Sequence, residues 1–165
     1  MEIKQLDVNF AGEYMNLRLE ALRENPEAFS SSYEEESQGS IKKYEQRLQQ
    51  ETSYTFGAID NGDLVGIVVL VTEPHKKLGH KAEIVSMYVT PRHRRSGIGR
   101  LLMTEAINKA KTLGSIEQVN LTVNAGNLAA KKLYSSLGFK PFGKEIRAIK
   151  IGKTYYDEEY MVLFL

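Results

Sequence analysis

Arg92-His93-Arg94-Arg95-Ser96-Gly97-Ile98-Gly99-Arg100-Leu101-Leu102 is a basic, glycine-containing run between two segments of different periodicity. Before it, Ile84 to Val89 reads as a strand; after it, Leu101 to Leu113 reads as a helix. A strand, a glycine loop and a helix start together make an anion site. The first helical turn leaves backbone N–H groups free, and the helix dipole favours negative charge there. Gly97 and Gly99 let the main chain approach a ligand without a Cβ in the way, and they accept positive φ.

The surrounding chain narrows what such a site serves. At 165 residues, 42% apolar and 26% charged, the sequence predicts one domain, 1–165, with a full hydrophobic core. Net charge is +1, which gives no support to a nucleic-acid-coating role, and the basic residues are concentrated locally in the loop. Without cysteine there are no disulfides, no thiolate metal sites and no acyl-cysteine intermediate. His75, His80 and His93 lack metal-ligand spacing, so no metal site is expected. No signal core precedes Asn9, and no run approaches the roughly 18 apolar residues of a membrane span, so a cytoplasmic protein without membrane or nucleic-acid partners is expected.

Working outward, Ile3 to Leu6 predicts a first strand and Phe10 to Arg23 a helix ending before Asn25-Pro26. Phe29 to Glu36 reads as irregular, and Ser40 to Gln50 as a charged helix with Ile41, Tyr44 and Leu48 on one face. Tyr54 to Asp60 and Leu64 to Val71 predict strands joined through Asn61-Gly62, a hairpin signal. Ala82 to Val89 is the next strand. The helix after the loop is expected to bury Leu101, Leu102, Ala106, Ile107, Ala110 and Leu113 and to end at Gly114. Gln118 to Val123 predicts a strand, and Asn127 to Leu137 a short helix burying Ala130, Leu133 and Leu137. Gly143 to Ile151 and Tyr155 to Leu165 form a last strand pair around Gly152. This order implies an α/β (α+β) fold with helices on the faces of a mixed sheet.

Two familiar phosphate loops do not fit. No Lys-Ser or Lys-Thr follows the glycines, as a Walker loop requires, and Leu102 stands where a dinucleotide-binding loop needs its third glycine. The spacing Arg94-x-x-Gly97-x-Gly99 instead resembles the pyrophosphate motif of the GNAT superfamily of N-acetyltransferases. Ala82 to Pro91 is similar to that family's fourth strand and following turn. Asn127-Leu128-Ala129-Ala130-Lys131-Lys132-Leu133-Tyr134 through Gly138-Phe139 matches its N-x-x-A-x-x-L-Y-x-x-x-G-F pattern, and Leu17 to Leu22 with Asn25 to Phe29 resembles many members. The resemblance implies a mostly antiparallel sheet of about seven strands flanked by about four helices.

It also implies roles. Acetyl-CoA would be the co-substrate, its pyrophosphate on the backbone amides of Arg94, Arg95, Ser96, Gly97, Ile98, Gly99 and Arg100 and its amide arm along Met87, Tyr88 and Val89. Side-chain charge from Arg94, Arg95 or Arg100 could add to the phosphate site, or be solvated. Asn127 and Tyr134 lie seven residues apart, on one helix face about 10 Å apart along the axis, which suits two contacts to an extended cofactor. Asn127 also fits a helix N-cap. The resemblance makes Tyr134 the general acid that protonates the departing thiolate, against the alternative of a packed core aromatic. Glu83 is the general-base candidate, because an amine acceptor is mostly ammonium at neutral pH; His80 competes more weakly, and a solvated strand-end glutamate is the alternative. The Met87 amide would polarise the thioester carbonyl. The expected activity is direct acetyl transfer to a primary amine of a small molecule, peptide or protein, with a non-catalytic acyl-CoA sensor as the alternative. The acidic runs Glu34 to Glu36 and Asp157 to Glu159 do not define the acceptor, and acyl length and a homodimer stay open.

Overall fold

The computed structural model describes residues 1–165. Seven strands form one sheet: β1 (Glu2–Gln5), β2 (Ser53–Asp60), β3 (Asp63–Thr72), β4 (Lys81–Val89), β5 (Gln118–Asn124), β6 (Lys140–Ile151) and β7 (Thr154–Phe164). Their spatial order is β1-β2-β3-β4-β5-β7-β6, and every pair is antiparallel except β4 with β5. Five helices flank it: α1 (Ala11–Glu24), α2 (Tyr33–Ser37), α3 (Ile41–Gln49), α4 (Ile98–Thr112) and α5 (Leu128–Ser136). No helix is long and apolar enough to cross a membrane.

Local chemistry explains most element ends. The β2–β3 hairpin turns through Asn61 and Gly62, both at positive φ, as a two-residue primed turn needs. Gly114 and Gly138, with φ of 70° and 97°, stop α4 and α5 in the left-handed conformation that closes helices. α2 was expected to be irregular and is a correction: the Ser32 hydroxyl accepts from the Glu35 N–H while the Glu35 carboxylate accepts from Ser32, a capping box that nucleates one short helix.

Two cores lie on opposite faces of the sheet. One joins α4 to the sheet through Leu102, Met103, Ala106, Ile107 and Ala110; the other packs Tyr14, Leu17 and Ala21 of α1 and Tyr44 of α3 onto Ile67 and Tyr88. Truncating a fully buried Leu such as Leu102 to Ala costs about 2–5 kcal/mol. Leu101 was expected in the first core, but it is 44% exposed and Met103 takes the inward position, because α4 starts at Ile98 and that phase turns Leu101 outward. Ile41 is likewise exposed, leaving Tyr44 as the buried anchor of α3.

A bulge in β4 positions the site. Pairing with β3 shifts between Val85↔Val69 and Tyr88↔Ile67, and Ser86 between them has φ of 55°. Side chains alternate across a strand, so one extra residue reverses the alternation. Ala82 and Ile84 face the α4 core, and beyond the bulge Met87 and Val89 face it again, while Tyr88 turns to α1. The parallel β4–β5 pairing ends at Ile84↔Leu121, so Val85 to Val89 have no β5 neighbour and the sheet opens into a gap.

Candidate active site

The loop after β4 is shaped by two left-handed residues, Arg95 (φ 64°) and Gly97 (φ 86°), with Gly97 as the N-cap of α4. Ile98 is buried and anchors the helix start. The backbone N–H groups of Arg95 to Arg100 donate to no acceptor in the protein, whether backbone or side chain. Six successive unpaired donors at a helix N-terminus are the kind of backbone that can cradle an anion. A Cβ on Gly99 would come within 3.2 Å of Met87 Cε and 3.3 Å of Leu133 Cδ2, so glycine there keeps α4 close to the gap.

The loop arginines divide in use. Arg94 Nε donates to the Val89 carbonyl at 2.9 Å and Nη2 to Asn25 Oδ1 at 2.8 Å, with its guanidinium near the Tyr88 ring. Its side chain therefore ties the loop to the end of α1. Arg100 donates to Ser136 Oγ and links α4 to α5. Arg95 is exposed, and Ser96 Oγ donates to the His93 carbonyl at 2.5 Å.

The β4–β5 gap is a hollow passing from one face of the sheet to the other. Val85, Ser86 and Met87 form one wall, Leu121 to Asn124 the other; Asn127, Ala130 and Tyr134 close it from the α5 side, and Ala28 and Phe29 from the α1 side. Asn127 caps α5, its Oδ1 accepting from the Ala130 N–H at 3.1 Å, and borders the hollow as well. Tyr134 is the buried residue of α5, while Ala130, Leu133 and Leu137, expected as its buried set, are only partly buried. The Tyr134 ring packs against Phe139, its hydroxyl has no hydrogen bond in the protein, and burial pushes its pKa up to about 12. The ring is part of the core, as the packed-aromatic alternative expects, and the residue also lines the gap.

Glu83 lies on the opposite face, level with Asn120 of β5, in a second hollow of about 280 Å³ that shares Leu121 and Thr122 with the first. The residue is exposed at the hollow's mouth. Crowding by the walls, then the charge of Glu73, raises the pKa of its carboxyl. His80, before β4, uses its carbonyl to accept from the Glu117 and Gln118 N–H groups. Most of the acidic runs have structural partners: Glu35 caps α2, Glu36 is buried in an ion cluster, Asp157 pairs with Lys144 and Glu159 with Lys131. Phe29 was legible only as part of the family-like stretch and not as a site residue, and Glu73 and the Ser86 bulge gave no sequence signal beyond a break in the β4 alternation before Tyr88.

Residues 17–139, the stretch that carries the loop, the gap and Tyr134, match the model of the acetyltransferase (GNAT) family. The chain belongs to the GNAT acetyltransferases. Over 100 residues the chain is 33% identical to N-alpha-acetyltransferase 30 of Homo sapiens, covering 61% of this chain and 27% of the human protein. Among solved structures, ribosomal-protein-alanine N-acetyltransferase from Brucella melitensis superposes with a TM-score of 0.87 at 23% identity over 100% of both chains. A Salmonella typhimurium protein solved with its cofactor acetyl-CoA gives 0.82 at 20% identity, over 99% of this chain and 93% of that one. These two likenesses show the fold. The match spans about a quarter of the human relative's length.

Proposed function

We propose that the chain is a single N-acetyltransferase domain, working in the cytoplasm, that moves the acetyl group of acetyl-CoA directly to a primary amine. The observation that carries this is the juxtaposition of six unpaired N–H groups at Arg95 to Arg100 with an open strand edge and the unpartnered Tyr134 hydroxyl. Acetyl-CoA supplies a thioester whose acyl carbon is attacked by the amine and whose sulfur leaves as thiolate. The cradle fits a diphosphate, since each N–H offers a directed donor and the dipole of α4 adds favourable charge. Val85 to Val89 offer an edge along which an amide-bearing arm can pair like a strand. In this reading the Met87 N–H polarises the carbonyl, Tyr134 Oη delivers its proton to the departing sulfur, and Glu83 takes the proton of the amine from the other face, directly or through a water.

The surroundings of each residue suit its proton role. A phenol held at about 12 stays protonated throughout the physiological range, as a proton donor must. A carboxyl raised above its usual range is a stronger base than a solvated one. The test is thiol release from acetyl-CoA across a panel of small amines, polyamines, amino acids and peptides. Amine-dependent release is expected. Tight acetyl-CoA binding with no release for any amine would make the chain a sensor instead of an enzyme.

A further inference from the structure

Beneath α1, α2 and α3 lies a buried ionic cluster that acetyl transfer does not use. Glu36, 2% exposed, accepts from Lys43 Nζ at 3.1 Å, Arg47 Nη2 at 3.1 Å and the Tyr44 hydroxyl at 3.0 Å. Its two oxygens are therefore occupied by two cations and a phenol. Arg18 of α1 is a third cation in the same region, only 7% exposed, and its Nε and Nη1 are sealed from solvent with no hydrogen-bond partner. It forms no ion pair with Glu36. A guanidinium is charged at any physiological pH and carries five donors in a fixed fork, so burying it with two nitrogens unpaired is costly. Burial depresses its pKa, and the Glu36 charge only partly offsets this.

The orphaned fork has a definite neighbour. Arg18 Cζ stands 4.6 Å from the centroid of the Phe29 ring, and Phe29 lines the β4–β5 gap on the face opposite Tyr134. The Phe29 ring thus neighbours both the guanidinium and the hollow, on the face that also carries Glu83. Lys43 and Arg47 keep 44% and 30% of their side chains exposed, so of the three cations only Arg18 is both buried and without an anion, and its Nη1–Nη2 edge, which makes no hydrogen bond in the protein, is the planar pair of donors that takes a carboxylate bidentately.

We infer that Arg18 is the carboxylate-binding residue of the acceptor site, so that the acceptor is a small amino-carboxylate whose amine points to the Glu83 side of the gap and whose carboxylate displaces the Phe29 ring to reach Arg18. This rests on the gap being the site of acetyl transfer. Two readouts separate the claims. Thermal melts of the full chain in sodium formate and in sodium chloride of equal ionic strength read the anion site with no reaction involved. Wild type gains Tm in formate over chloride, since an anion bound only by the folded state stabilises it. Arg18→Met loses that gain, and Arg18→Lys, which keeps the charge without the fork, retains part of it should the Met variant fail to fold. Initial rates with L-amino acids and their carboxamides read the acceptor preference. Acids exceed amides by about 10- to 100-fold in kcat/KM in wild type, and the ratio falls towards one in Arg18→Met with the KM for acetyl-CoA unchanged. The inference is overturned if wild type shows no formate gain, if Arg18→Met keeps it, or if carboxamides turn over as well as acids. If the formate gain depends on Arg18 while no amine is acetylated, the anion site stands and the acetyl-transfer reading falls.

Discussion

Replacing Tyr134 with Phe removes one atom from the site and nothing from the core. The ring keeps its packing against Phe139, and the lost hydroxyl had no protein partner, so no donor or acceptor is stranded. Stability should stay within about 1 kcal/mol of wild type. Acetyl-CoA affinity should be almost unchanged, because the diphosphate and amide-arm donors lie elsewhere. Turnover should fall by roughly 10²- to 10⁴-fold, the usual worth of a positioned general acid and about 3–5 kcal/mol of barrier. Because burial holds the phenol at about 12, wild type should show no alkaline fall in kcat from Tyr134 below about pH 10. The assay is thiol release at saturating acetyl-CoA and acceptor, with a melt and an acetyl-CoA titration on the same preparation. A Phe variant within about threefold of wild-type kcat would refute the acid role and leave the hydroxyl as part of the wall.

Three further outcomes follow from other residues. Glu83→Gln should lose most activity near neutral pH and recover towards wild type as pH approaches the acceptor's own pKa, where the amine arrives deprotonated; a pH–rate profile parallel to wild type would remove Glu83 as base. For Glu36, burial alone would raise the carboxyl, but hydrogen bonds from Arg47, Lys43 and Tyr44 and the Arg47 charge outweigh it and hold the pKa at about 2 against 4.5 for a free glutamate. Its folded pKa is depressed, so the stabilisation, about 3 kcal/mol, is complete above pH 4.5 and lost as pH falls through 2; denaturant titrations of Glu36→Gln should show a deficit of that order at pH 7 that closes in acid. Gly97→Ala places a Cβ on a residue at φ 86° with open space around it, costing about 1 kcal/mol in melts; calorimetry should show a larger loss of acetyl-CoA affinity, because that Cβ intrudes on the cradle.

Much of this was legible in the chain because the signals were local. Asn61-Gly62 turns a hairpin by its own backbone preference, and Gly97, Gly114 and Gly138 mark helix ends through positive φ. The loop, β4 and α5 could be placed as neighbours through their resemblance to one family. Other features depend on tertiary context. The Ser86 bulge is set by pairing with β3, which no window of sequence records, yet it decides which β4 side chains face which side of the gap. Arg18 and Glu36 are charged residue types whose burial follows from how α1, α2 and α3 pack, although Tyr14, Leu17, Arg18 and Ala21 do lie at successive positions of one helix face. The Ser32–Glu35 capping box was a local signal and was readable; five residues were too few to stand out by periodicity.

Amide hydrogen exchange with and without acetyl-CoA tests the placement of the co-substrate most directly. The account predicts slowed exchange at Arg95 to Arg100, whose N–H groups have no acceptor in the free protein, and on the open edge of β4 from Val85 to Val89, with the β1–β2 pairing unaffected. Acetyl-CoA that binds while leaving the Arg95 to Arg100 amides unprotected would contradict it.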